Sequence, residues 1–432
     1  MRMTSAVPTD VMDVAATPDE PAPAGRIQSL DLVRGFAVLG ILAANMVAFA
    51  LPGSAHRVPT MIEDTFAEKL FWLINLLLVD GKMRGLFTVL FGAGVVLFLE
   101  HARAKGGKGW WLQYRRLFWL WVFGSLHFVL FFEGDILLDY AVVGAFLVPI
   151  LLIRRIPNWG LVALAAALLI WDGWAVTTYF DRNHQKELAV STGTADVQTA
   201  HDYADWREEF ESETREALEF DRGANFIEMA QDRHKYDTPI SRTTFVIMAY
   251  GAGYLGLMLI GAALYRAGFF TGNWNARKVT LWSGVGIAFS LVVALGLGLT
   301  IWQSDFAPAT TYFYTYAWSP QYRLPMVLGM AGLLVVVTPK LGPTWLGERL
   351  SAAGRMAFTN YIAMSVIFPG LFHGWGFGLI AQVPRWGIWL FVFAGWALML
   401  GWSKPWLERY RFGPLEWLWR CLTYWKLFAF RR

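Results

Sequence analysis

Cysteine is almost absent from this chain. Among 432 residues only Cys421 is present, so there is no internal disulfide and no thiolate cluster for zinc or an iron–sulfur centre. Charge is scarce as well: Asp, Glu, Lys and Arg make up 16% of the residues, against about a quarter in soluble domains, which excludes an ordinary water-soluble globule. The fingerprints of soluble enzymes are missing, with no P-loop, no dinucleotide-binding glycine pattern, no HExxH and no GxSxG elbow. Residues 1–25 contain Pro8, Pro18, Pro21 and Pro23 but no apolar core followed by a cleavage site. They are expected to be a disordered tail, not a secretory signal. His184, His201 and His234 are spaced too widely for a ligand set, so no metal is expected. The basic residues are scattered between apolar runs, which points away from nucleic acid as a partner.

What the chain has is apolar length. Hydrophobic residues make up 56%, with 23 Trp, 15 Tyr and 32 Phe, and rings of this kind gather where hydrocarbon meets headgroups. The expected partner is a lipid bilayer. A bilayer core of about 30 Å takes about 20 helical residues. Runs of that order fall at 30–51, 68–100 (bent or in two parts), 111–132, 135–153, 159–180, 243–265, 279–302, 323–339, 356–373 and 386–402. The fold class this predicts is all-α, a polytopic transmembrane helical bundle of about ten spans. Helices one to five occupy 26–180, an outer helical insert 181–240, helices six to ten 241–402, and a basic, Trp-rich interfacial tail 403–432.

If the N-terminus is inside, the inner segments carry 22 Lys and Arg, against Arg57, Lys69, Arg323 and Arg385 on the short outer loops. That asymmetry predicts both termini in the cytoplasm. Lys82 and Arg84 fit neither side, because they interrupt the second run.

Chemistry in such a chain has to come from polar residues inside the membrane, where each is costly to keep. Asp31 and Arg34 are three apart at the entrance of the first helix, where they can pair. Gly35 and Gly40 thin that helix for a close neighbour, and Asn45 lies three turns beyond Arg34. The alternative is an anchoring ion pair with a buried amide. His127 stands near the outer end of the third span, and a turn at Glu133-Gly134-Asp135 follows. Asp135 and Asp139 are i, i+4, so a carboxylate can reach the imidazole and orient it as a base. His56, Arg57, Arg323 and His373 fall near the outer ends of other spans and are expected to converge with His127. In the insert, Phe210, Leu218 and Phe220 between charges predict a helix resting on the membrane domain, as a solvated cap or as a substrate lid.

Four segments carry a family resemblance: Leu30-Asp31 through Arg34-Gly35-Phe36-Ala37 to Asn45; Leu90-Phe91-Gly92-Ala93-Gly94; His127 with Gly134-Asp135-Ile136-Leu137; and Gly413-Pro414-Leu415-Glu416-Trp417 with Arg420 and Thr423-Tyr424. They resemble the YeiB-like bacterial membrane proteins, which carry a C-terminal domain of unknown function. The resemblance extends from about residue 26 to 425. That family looks related to the transmembrane acyltransferase superfamily, which includes the heparan-α-glucosaminide N-acetyltransferase. The resemblance implies a bacterial inner-membrane protein that moves an acyl group from cytosolic acyl-CoA to an outer hydroxyl or amine on an envelope glycan or lipid. That acetyltransferase has an Asn late in its first span and a catalytic His eleven residues later, the spacing of Asn45 and His56 here. Met46 to Ala55 lacks the glycine- and aromatic-rich pattern of the enzyme, so His127 stands as the rival base, with Asp135 to orient it.

On this expectation Arg34, Arg84 and Asp31 bind the donor, and Arg323, His373, Glu133 and Asp139 bind the acceptor. Asn45 or Arg323 stabilises the oxyanion. Two other classes stay open: a proton-coupled transporter or permease using Asp135 and His127 as a relay, and a non-catalytic envelope-assembly protein acting through its tail. A homo-oligomer is also left open.

Overall fold

The computed structural model describes residues 27–104, 108–153 and 155–432, which build an all-α bundle; the expected tail at 1–25 lies outside them. Apolar runs become helices because hydrocarbon offers the peptide group no partner, so every N–H has to bond within its own segment. The first run is α1 (Gln28–Ala50). The second is in two parts, α2 (Phe66–Leu78) and α3 (Lys82–Ala104). Next come α4 (Gly109–Leu130), α5 (Leu137–Leu152) and α6 (Asn158–Ser191), which continues past the expected span into the insert. The insert is completed by α7 (Val197–Gly223) and α8 (Phe226–Tyr236). A short α9 (Pro239–Phe245) joins α10 (Gly251–Arg266) through a π turn at Val246–Tyr250. The remaining helices are α11 (Ala276–Gln303), α12 (Pro308–Tyr316), α13 (Ser319–Leu341), α14 (Trp345–Arg355), α15 (Ala357–Phe372), α16 (Arg385–Arg409) and α17 (Pro414–Tyr424).

All ten expected runs are therefore helical. Among the described residues, seven stretches are long and apolar enough to cross a membrane: α1, α2 with α3, α6, α9 with α10, α11, α13 and α16. Helices α5 and α15 are apolar but have only 16 residues each. Helix α4 has 22 residues but carries Gln113, Arg115 and Arg116 in its first half. The chain is a multi-pass helical membrane protein.

Contacts distinguish the two ends of the bundle. At one end the insert meets the loops: Gly374 N–H donates to the Asp221 carbonyl at 2.8 Å, and Arg233 approaches Glu133 at 3.5 Å. At the other, Ser29 bonds the Phe270 carbonyl, and Trp419 Nε1–H donates to the Arg116 carbonyl at 2.9 Å. These are called the insert end and the terminal end. Between them small residues set the helix spacing: a Cβ on Gly92 of α3 would lie 2.0 Å from the Met258 carbonyl oxygen, and one on Gly261 of α10 would lie 1.8 Å from that of Val89. Only glycine permits backbones this close.

Two expectations are corrected. Residues 340–355, which fall between the expected runs 323–339 and 356–373, contain α14, which buries Leu350, Ala352 and Ala353 and packs on α1. The tail expected from Ser403 begins later. Helix α16 runs to Arg409, Ser403 is buried against Asn360 of α15, and α17 docks on α4 and α15 and does not lie alone at an interface.

Helix N-termini expose backbone N–H groups that need acceptors, and three distant glutamates supply them. Glu68 accepts from Arg385 N–H at 2.7 Å, Glu187 from Thr310 N–H at 2.7 Å, and Glu416 from Phe358 N–H at 2.8 Å. Each carboxylate also meets the positive end of a helix dipole. Burial holds the Glu416 carboxyl above its ordinary pKa, against the opposing pull of its bonds to Thr359 and Phe358.

Candidate functional site

The break between α2 and α3 is built by Val79-Asp80-Gly81, with Gly81 at φ 71°. Arg323 of α13 packs against Gly81, where a Cβ would lie 2.3 Å from its Nη1. The same guanidinium donates to the Thr315 carbonyl at 2.9 Å and to Asp80 at 3.3 Å. Lys82 is fully buried and donates to the Leu76 carbonyl, which the break leaves without a helical partner. The interruption thus satisfies its own backbone with charged side chains, as irregular backbone inside a membrane protein must.

Arg84 follows one residue after Met83, which packs on Gly40 midway along α1, so it lies deep in the bundle. Its guanidinium is 5.8 Å from the ring centre of Tyr254 and within electrostatic range of Tyr250, Tyr316, Asp80 and Asp172. It makes no hydrogen bond or ion pair among the described residues, yet the residue is exposed. An exposed guanidinium ringed by Tyr140 of α5, Asp172 of α6, Tyr254 of α10 and Tyr316 of α12 implies an open space among these helices.

The loop after α1 reaches the same space. Arg57 stacks on Tyr316 at 4.8 Å, Tyr312 donates to Ser54 at 3.0 Å, and Asp80 lies within electrostatic range of both His56 and Arg57. Arg385, paired with Glu68 at 3.1 Å, fixes the loop by donating to the carbonyls of Ala55 at 2.6 Å and His56 at 3.2 Å. The His56 Nδ1 meets the Gly53 carbonyl. A carbonyl only accepts, so Nδ1 carries the proton and Nε2 keeps its lone pair. Burial and then the Arg57 charge lower the His56 pKa to about 3, against the Gly53 bond, which raises it. The imidazole is neutral at physiological pH, and half-buried.

His127 meets Asp135 as the spacing predicts. Nδ1 is 2.7 Å from the carboxylate, whose second oxygen accepts from Leu138 N–H at 2.7 Å. Nε2 is buried and has no partner among the described residues, and the ring lies 5.0 Å from that of Tyr361. The other two carboxylates of the group go elsewhere. Asp139 takes a two-bond grip from Arg242 at 3.2 and 2.9 Å, and Glu133 is exposed and reaches Arg233 of the insert. A guanidinium fork satisfies both oxygens of a carboxylate at once, which draws Asp139 away from the imidazole.

The remaining candidates divide by position. Asp31 and Arg34 pair at 3.8 Å at the terminal end, where Arg116 lies within electrostatic range of Arg34 and Arg420. Arg34 and Arg84 are thus separate features and do not form one donor patch. The Asn45 side chain makes no hydrogen bond among the described residues and is only partly buried. His373 is held at the insert end, 3.6 Å from Asp221. Sequence reasoning missed Asp80, Arg242, Tyr250, Tyr254 and Tyr316. The visible signal for Asp80 was its place beside Gly81 in the interrupted run, whereas the tyrosines sit among too many other aromatics to be singled out.

A mostly apolar groove of 910 Å³ along α16 between Ala394 and Tyr410 holds none of these residues.

Comparison with known proteins fits this picture. Residues 264–426 match the family described as Protein of unknown function (DUF418). The chain is 30% identical over 404 residues to the Escherichia coli (strain K12) "Uncharacterized protein YeiB", a match that covers 91% of this chain and 95% of that one. It is 29% identical over 418 residues to the Bacillus subtilis (strain 168) "Uncharacterized protein YxaH", covering 92% and 94%. No solved structure matches. With a match of this identity running through nearly the whole of both chains, the protein belongs to the YeiB-like DUF418 family of multi-pass membrane proteins.

Proposed function

We propose that this protein is a membrane acyltransferase that carries an acyl group from a cytosolic acyl-CoA to a hydroxyl or amine presented at the insert end. The observation that supports this reading most is His56: a neutral imidazole, its Nδ1–H fixed on the Gly53 carbonyl and its Nε2 without a partner among the described residues, within electrostatic range of Arg57 and Asp80. In this reading the insert end faces outward, both termini are cytoplasmic, and the membrane is the bacterial inner membrane. Arg34, aligned by Asp31, receives the donor phosphates together with Arg116 and Arg420. His56 Nε2 takes the proton from the acceptor as its oxygen or nitrogen attacks the thioester carbon; the tetrahedral intermediate then expels the thiolate, which takes up a proton. Asn45, eleven residues before His56 near the end of α1 and with no side-chain hydrogen bond among the described residues, is the oxyanion donor. His127 with Asp135 is the second base candidate, closed off by Phe131, Phe132 and Tyr361.

The test is acyl transfer by purified protein in nanodiscs, with acetyl-CoA and longer acyl-CoAs as donors and an envelope extract as acceptor. His56→Ala is expected to lower the rate by about 10²–10⁴-fold at unchanged expression, the usual share of a general base. Full activity in both His56→Ala and His127→Ala sinks the mechanism.

One observation favours a second reading, a transporter. Two spans are interrupted beside the same space, at Val79–Gly81 and at the π turn Val246–Tyr250, and broken helices near mid-membrane line substrate sites in transporters. Proton-linked uptake into proteoliposomes without any acyl donor would select this reading.

A further inference from the structure

We propose that the internal space between Arg57 and Arg84 is an anion site that takes the phosphate group of a phosphorylated molecule, with the tyrosines around it packing against whatever carries that phosphate. The argument begins with charge. Inside a membrane protein a guanidinium is retained only with a partner or a purpose. Neighbouring cations have partners: Arg323 has Asp80 at 3.3 Å and the Thr315 carbonyl, Arg242 has Asp139 at 2.9 Å, and Lys82 has the Leu76 carbonyl. Among the described residues the guanidinium groups of Arg57 and Arg84 make no hydrogen bond or ion pair and meet the faces of Tyr316 at 4.8 Å and Tyr254 at 5.8 Å; Asp172, within electrostatic range of Arg84, is bonded to the Gly253 backbone. They lie within electrostatic range of each other, so each raises the cost of the other's charge. Asp80, which both of them sense, is already engaged by Arg323.

Two guanidinium groups turned to one open space, with their π faces covered and their N–H edges uncommitted, present up to ten donors and no acceptor. Phosphate oxygens match that edge two at a time. A carboxylate also fits a fork, but one carboxylate would neutralise only one of the two cations; a phosphate carrying close to two charges balances both. The tyrosines add ring faces and hydroxyl groups. Tyr250 is 37% exposed, so part of its surface is open for contact with a ligand.

The phosphate has two possible sources, a lipid headgroup and a soluble phosphorylated sugar, and the site chemistry is shared. That the bound molecule is the acyl acceptor rests on the acyl-transfer reading; the anion site does not, since a transporter with this space would bind the same group.

The test uses full-length protein in phosphatidylcholine nanodiscs and reads thermal unfolding at constant ionic strength. Inorganic phosphate and glucose 1-phosphate are compared with chloride, because a ligand that prefers the folded state raises its apparent stability. Stabilisation by either probe that weakens at least ten-fold in apparent affinity in Arg84→Gln and in Arg57→Gln, but not in Arg215→Gln on the exposed face of α7, supports the site with a soluble ligand. No effect of the soluble probes, with Arg84-dependent stabilisation on adding phosphatidylglycerol to the nanodiscs, supports it with a lipid ligand. Equal responses of wild type and both variants to every probe, or no response at all, overturn it. Arg84→Lys guards against misfolding, since it keeps the charge and loses only the fork. Phosphate binding without acyl transfer in wild type would remove the enzyme reading alone; acyl transfer untouched in Arg84→Gln, with no phosphate binding, would remove the anion site alone.

Discussion

Asp80 and Arg323 meet at 3.3 Å where the second span is broken, and the contact joins α13 to the turn between α2 and α3. Arg323 is nearly buried and Asp80 about one-third exposed, with side-chain accessibilities of 6% and 34%, so the pair lies at the edge of the internal space. It neutralises the carboxylate that both Arg57 and Arg84 sense, while Asp172, within electrostatic range of Arg84, is bonded to the Gly253 backbone. The site is cationic because its acid is taken.

The second buried pair, Asp139 with Arg242, sets a stability prediction. Asp139 is 1% exposed and held by two bonds. Asp139→Ala leaves Arg242 uncompensated, for an expected loss of roughly 3–5 kcal/mol, whereas Asp139→Leu combined with Arg242→Met should recover most of it, because an apolar pair carries no desolvation penalty. Denaturant unfolding in detergent measures both. A double variant no better than the single one would mean that the pair orders α9 in a way packing cannot replace.

His56 sets a pH prediction with a definite sign. Its folded pKa, about 3, is below the ordinary 6.5, so between those values the unfolded chain binds a proton that the folded chain does not. Its contribution to stability is full above pH 6.5 and is lost as pH falls toward 3. The same displacement keeps Nε2 unprotonated through the physiological range. If His56 is the base, the acyl-transfer rate shows no inflection near pH 6.5. A rate that falls tenfold per pH unit below that value excludes it.

Much of this architecture was legible in the sequence, and the reason is physical. Hydrocarbon tolerates few backbone solutions, so apolar length alone located all ten helical runs, and the charges at Lys82 and Arg84 marked one of the two that are interrupted. The His127–Asp135 bond followed from a tight turn and helical spacing, both local. Partners chosen across the fold were not legible. Asp139 turns to Arg242, 103 residues away, and His373 turns to Asp221, because the insert folds back over the bundle. Helix α14 was hidden because Glu348, Arg349 and Arg355 resemble a loop, while its buried side is made of small residues that leave little hydropathy signal.

Glu416 explains why the Gly413-Pro414-Leu415-Glu416 segment has its particular residues. The carboxylate accepts from the N–H groups of Phe358 and Thr359 at 2.8 and 3.0 Å and from the Thr359 hydroxyl, while Leu415 N–H donates back to that hydroxyl at 3.1 Å. Glu416→Gln keeps one acceptor oxygen and turns an amide toward a donor, so an expected loss of about 1–3 kcal/mol follows. Burial raises the Glu416 pKa. The unfolded carboxyl therefore ionises first as pH rises, and this group's contribution falls from its ordinary carboxylate value up to its raised folded value, then stays constant. Comparing wild type with Glu416→Gln across that window isolates the contribution.

Gly92 and Gly94 test the packing argument within one turn of α3. A Cβ on Gly92 would stand 2.0 Å from the Met258 oxygen and 2.6 Å from its carbonyl carbon, both backbone atoms that cannot rotate away, whereas nothing lies within 4 Å of one on Gly94. Gly92→Ala therefore forces α3 and α10 apart, with an expected cost of roughly 1–3 kcal/mol, the range for overpacked cores. Gly94→Ala meets open space and gains helix propensity, for an expected change between zero and about 1 kcal/mol in favour of the fold. The readout is the unfolding midpoint of the two variants in the same detergent. If both lose stability equally, the separation of α3 from α10 is not fixed at Gly92, and the position of Arg84 relative to Tyr254, which depends on that crossing, loses its structural basis.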